Sequence, residues 1–174
     1  VNGLDQEYLL VDGYNIIFAW KELKTIADES LDLARDRLIN ILKNYQGAKG
    51  FNIILVFDAY LVKGSKGSIE KDDNIYIVYT KEAETADNYI EKTAAALSKG
   101  YRVRVATSDY LEQVIIIGRG AVRISANDLK NEVDTVNKTI REQINAIKPI
   151  KNNMLFDNLD ADAAAWLEAL RRKK

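Results

Sequence analysis

Histidine and cysteine are both missing from this chain. Without cysteine there is no disulfide, and no thiolate can act as nucleophile or ligand. Without histidine, a Ser-His-Asp triad, a Cys-His pair and a histidine-ligated zinc site are all excluded. Catalysis near neutral pH must then use carboxylates, lysine, tyrosine or a metal held by oxygen ligands. Proline occurs once, at Pro149, which leaves little room for long linkers. No apolar run approaches the ~18 residues of a membrane span, and no basic segment with an apolar stretch behind it marks a signal peptide. These absences lead to the expectation of a cytoplasmic protein with no membrane association. Charge of neither sign dominates, since 25 basic and 26 acidic residues leave a net −1. A nucleic-acid partner would therefore need a local basic face.

What is present is an apolar fraction of 47% over 174 residues, enough for one domain with a substantial core. Segments 8–11, 52–57, 75–79 and 102–106 (YLLV, NIILVF, IYIVY, RVRVA) read as strands. The first two are nearly continuous apolar runs, as expected of strands buried on both faces of a parallel sheet. Helical periodicity alternates with them. From 31 to 45, Leu31, Ala34, Leu38, Ile41, Leu42 and Tyr45 recur at three- and four-residue steps. Segments 86–98 and 109–117 each end before a glycine. A fifth strand over 121–124 precedes Ser125-Ala126-Asn127-Asp128, which has capping-box spacing and opens a helix to about Ile147. Alternating β and α units predict an α/β fold, a three-layer Rossmann-like sandwich with a mostly parallel sheet. The predicted strand order is 3-2-1-4, with the fifth beyond the fourth. The domain is expected to span 1–148, and residues 149–174 to form a helical extension packed on it through Leu155, Phe156 and Trp166.

Acidic residues fall at the ends of these strands. Asp12 closes the first in VDGYN, Asp58 the second in LVFDAY, and Asp109 follows the fourth in VATSDY. After the third, Glu84 and Asp87 stand at the start of a helix. In an open α/β sheet this rim is where ligands bind, next to the point where strand order reverses. Each acid also has a structural role open to it. Asp87 or Thr85 suits a helix N-terminus, Asp109 with Glu112 has capping-box spacing, and Asp58 fits a turn. Together they repel, and a cation relieves that repulsion. Mg²⁺ or Mn²⁺ suits an all-oxygen site, and a metal-activated water supplies the nucleophile that no histidine can generate. Asn15, three residues after Asp12, suits either a turn or the orientation of an aspartate.

The ordered set LLVDGYNII, VFDAY, ETADNYIE, VATSD and GAVRISANDL resembles the YacP-like branch of the NYN domains, PIN-like nucleases with a Rossmann-type sheet. The resemblance covers residues 8 to 147 and extends into the tail. It implies a metal-dependent endoribonuclease that associates with the ribosome and cleaves mRNA. It carries the acidic site onto Asp12, Asn15, Asp58, Asp87 and Asp109, with Glu84 as a further metal ligand. Tyr60 departs from the pattern, where many relatives have histidine. RNA needs cations for its phosphates. Lys63, Lys66 and Lys71 in VKGSKGSIEK, read as a flexible loop, and Arg171 and Arg172 in the terminal RRKK are the candidates for RNA or ribosome contact. Tyr14, Trp20 and Tyr110 are candidate stacking surfaces, with Trp20 also suited to the core. A monomer is expected. Two other classes stay open: a catalytically silent RNA- or ribosome-binding module, and a haloacid-dehalogenase-like phosphatase. The latter also begins with an aspartate after strand 1 but wants a second acid two residues on, where Tyr14 stands.

Overall fold

A computed structural model describes residues 6–58, 66–108 and 120–147. The described residues up to Asn137 belong to one compact unit, and a second begins at Lys138, inside the last helix. The elements run β1 (Glu7–Asp12), α1 (Gly13–Ala19), α2 (Lys21–Glu29), α3 (Leu31–Lys49), β2 (Asn52–Phe57), β3 (Ser68–Asp72) and β4 (Ile75–Tyr79). They continue with α4 (Ala86–Leu97), β5 (Arg102–Ala106), β6 (Val122–Ile124) and α5 (Ala126–Ala146).

The six strands form one sheet in the order β3-β4-β2-β1-β5-β6. Every pairing is parallel except that of β3 with β4. The five strands expected from sequence are present in the order expected. β3 is the addition, and it corrects the reading of 62–71 as a loop throughout. It pairs antiparallel with β4 through the two-residue turn Asp73-Asn74, with Asp73 at φ 53°.

β1 shows why the central strands are apolar without alternation. Leu9 and Val11 join a cluster with Ile16, Ile17, Leu38 and Leu42 from α1 and α3. Leu10, facing the other way, packs with Ala86, Ile90 and Ala94 of α4. All three strand residues are fully buried, each burial contributing about 1.5–3 kcal/mol. α3 is capped at both ends. The Ser30 hydroxyl accepts from the Leu33 N–H, and Gly50 takes the left-handed conformation (φ 78°) that ends the helix. Ser125 caps α5 as its spacing predicts, accepting from the Asp128 N–H at 3.0 Å. Trp20 is core: its indole N–H donates to the Ala126 carbonyl at 2.8 Å, tying the α1–α2 junction to the start of α5.

Among the described residues no helix is long and apolar enough to cross a membrane. The predicted helix at 109–117 and the extension from 149 lie outside the described residues. So do Lys63, Asp109, Arg171, Arg172, Tyr60 and Tyr110.

Candidate active site

β1 ends at the switch point of the sheet, with β2 on one side and β5 on the other. No loop follows it, because Asp12 is both the last strand residue and the N-cap of α1, accepting from the Asn15 N–H at 3.1 Å. The turn requires glycine next. A Cβ on Gly13 would lie 2.3 Å from Phe57 Cε1, inside the ring that closes β2. Asp12 is thus driven against the core, and only 6% of it is exposed.

Around it opens a cleft of about 500 Å³ lined by Asp12, Tyr14, Asn15, Phe18, Ala19, Asp58, Thr85, Ala86, Asp87 and Ser108. Four of the predicted site residues therefore meet in one place: Asp12, Asn15, Asp58 and Asp87. Asn15 bridges the switch point. Its Nδ2 donates to Asp12 Oδ2 at 3.4 Å, while its Oδ1 accepts from the Ser108 N–H at 3.3 Å and contacts the Ser108 hydroxyl. Asp58 accepts from the Ala86 N–H at 3.3 Å, so the end of β2 holds the start of α4. Thr85, not Asp87, caps that helix, accepting from the Asn88 N–H at 3.2 Å. Asp87 is left exposed in the first turn, where it lines the cleft.

Burial is the main force on Asp12, and it raises the carboxyl from 3.8 to about 6. The hydrogen bonds from Asn15 oppose the rise, while the negative charges of Asp87 and Asp58 add to it. Among the described residues those two are the charges acting most strongly on Asp12, and both have its own sign. A buried acid facing two more acids is costly as it stands, and a cation would relieve it. The donor set is all oxygen, which suits Mg²⁺ or Mn²⁺. Among the described residues, no three acids are close enough together to form a closed metal cage. The fit is to an ion held by one or two carboxylates and completed by water and substrate phosphates.

Glu84 does not line the cleft; it pairs with Lys92 at 3.2 Å. Lys66 is exposed just before β3. Because β3 runs antiparallel to β4, Ser68 sits beside Tyr79 at the rim, and Lys71 is carried back to Tyr76, over whose ring its ammonium lies at 5.3 Å. Sequence reasoning missed Ser108 and Phe18. Ser108 stands beside Asp109 in VATSD, which was its one signal. Phe18 lies inside an apolar run that reads as core.

Across residues 9–172 the sequence matches the model of the YacP-like NYN domain. The chain belongs to that family. YacP of Bacillus subtilis (strain 168), a protein described as uncharacterized, is 45% identical over 142 residues, 81% of this chain and 83% of that one. A crystal structure of Rae1 (YacP) from Bacillus subtilis is similar at a TM-score of 0.71 with 40% identity, covering 95% of each chain. A tryptophan-to-leucine variant of the same protein gives 0.72 and 37%, covering 95% of this chain and 99% of that one. Membership in the YacP-like NYN family agrees with a nuclease-type fold whose acids meet at the switch point.

Proposed function

We propose that this chain is a cytoplasmic, metal-dependent endoribonuclease that cuts mRNA in association with the ribosome. The observation that carries the reading is Asp12, a buried carboxylate at the switch point whose strongest charged neighbours among the described residues of the cleft are Asp58 and Asp87. Bound there, Mg²⁺ or Mn²⁺ would activate a water and neutralise charge on the scissile phosphate. Asp12 and Asp58 or Asp87 would hold it, with Asp109 as the further expected ligand. Asn15 orients Asp12 by two hydrogen bonds and fixes the β5 end through Ser108. Specificity lies elsewhere, since acids repel RNA and the net charge is −1. Lys63, Lys66, Arg171 and Arg172 are the proposed contacts to RNA or ribosome. The phosphatase reading is weakened by Tyr14, which is buried and whose hydroxyl accepts from Arg35 at 2.9 Å, where an acid/base carboxylate would be wanted.

The test is incubation of the purified protein with RNA, with and without ribosomes, in Mn²⁺, Mg²⁺ or EDTA. Cleavage that needs the cation and disappears in Asp12→Asn supports the reading. A silent binding module predicts ribosome co-sedimentation but intact RNA in every arm. For the contacts, Lys63→Glu with Lys66→Glu should weaken co-sedimentation while the circular dichroism is unchanged; undiminished binding would move the contact to the C-terminal arginines.

A further inference from the structure

We propose that Phe18 is a stacking platform for an unpaired nucleobase beside the acidic site, which restricts the substrate to single-stranded RNA. This deepens the endoribonuclease reading and rests on it. Phe18 is 49% exposed, although its helix neighbours Ile16 and Ile17 are fully buried. Other exposed apolar side chains, such as Leu33, Ile69 and Val122, are scattered outside the cleft, as on any protein surface. Among the described residues, Phe18 alone of these lines the cavity that holds Asp12, Asp58 and Asp87.

Its ring is also braced. Tyr14 stacks on it with centroids 6.4 Å apart and planes 25° from parallel. Tyr14 in turn packs on Phe57 at 5.2 Å and accepts the hydrogen bond from Arg35. A ring held this way loses little freedom when a ligand covers it. The cleft therefore combines two chemistries: carboxylates for an ion and its phosphate, and an aromatic face with Tyr14, Ala19 and Ala86 around it. A nucleotide has the same two halves. Phenylalanine offers no hydrogen bond, so the platform accepts any base. It cannot take a base whose two faces are already covered by its neighbours in a duplex.

Binding in EDTA separates this from cleavage. The wild-type protein, Phe18→Ala and Phe18→Trp are titrated at low salt against a labelled single-stranded RNA and the same RNA annealed to its complement. Phe18→Ala should weaken single-strand binding roughly 5- to 150-fold and leave duplex binding unchanged. Phe18→Trp should retain or tighten it. Equal single-strand affinity for wild type and a folded Phe18→Ala overturns the platform, as does a wild type that prefers duplex or binds neither RNA. Cleavage with Mn²⁺ is scored separately. Stacking with no cleavage even when ribosomes are added would sink the nuclease reading and keep the platform, whereas cleavage with Phe18→Ala binding unchanged does the reverse.

Discussion

Replacing Asp12 by asparagine should make the metal-free protein more stable while removing its proposed activity. A carboxyl held at about 6 instead of 3.8 is disfavoured, once ionised in the fold, by about 3 kcal/mol. Asparagine has nearly the same shape and keeps an oxygen to accept the Asn15 N–H, so the cap on α1 survives. What it loses is the long 3.4 Å contact from Asn15 Nδ2, about 1 kcal/mol. The net gain is about 2 kcal/mol, or a rise of roughly 4–8 °C in Tm for a chain of this length. The sign fixes the pH profile. Between 3.8 and about 6 the folded protein keeps a proton that the unfolded chain has released, so wild-type stability falls across that window. Asp12→Asn should lie about 1 kcal/mol below wild type under pH 4, where only the lost contact counts, overtake it within the window and level off about 2 kcal/mol above it past pH 6. Thermal melts in EDTA at low salt across pH 4 to 8 measure it. An Asp12→Asn variant that is folded but melts below wild type at neutral pH, or a difference that ignores pH, refutes the reasoning. Added Mn²⁺ at a hundred times its Kd should then raise wild type by about 2.7 kcal/mol and leave the variant behind.

Two further substitutions test how the site is held. Gly13→Ala puts a methyl into the Phe57 ring and should cost about 1–3 kcal/mol by urea unfolding, and an unchanged midpoint would show that Phe57 can move aside. Trp20→Phe leaves the Ala126 carbonyl without its indole donor and should cost about 1–3 kcal/mol; circular dichroism melts that overlay wild type would mean the bond is dispensable.

The acids were legible because buried strands end abruptly. Once past Tyr8 and Asn52, YLLV and NIILVF have no polar position until the sheet stops, so Asp12 and Asp58 mark its rim. Other parts left weaker traces. Tyr14 to Trp20 mixes aromatic and β-branched residues with no clear period, which hides α1 and the exposure of Phe18. β3 has one apolar residue and is exposed along its whole length, so burial leaves no pattern in it. Its signal is Asp73-Asn74, a pair suited to a tight hairpin. Ser108 joins Asn15 from 93 positions away, a contact that no local spacing encodes.

The junction of β1 with α1 leaves no residue to spare. One extra residue between Asp12 and Gly13 would turn the helix by about 100° relative to the sheet. Ile16 and Ile17 would swing out of the core, and Asn15 would no longer reach both Asp12 and Ser108. Drift in length at this point is therefore closed to the protein, whereas substitutions that keep the count remain open. An aligned set of sequences should show gaps in many loops and none here.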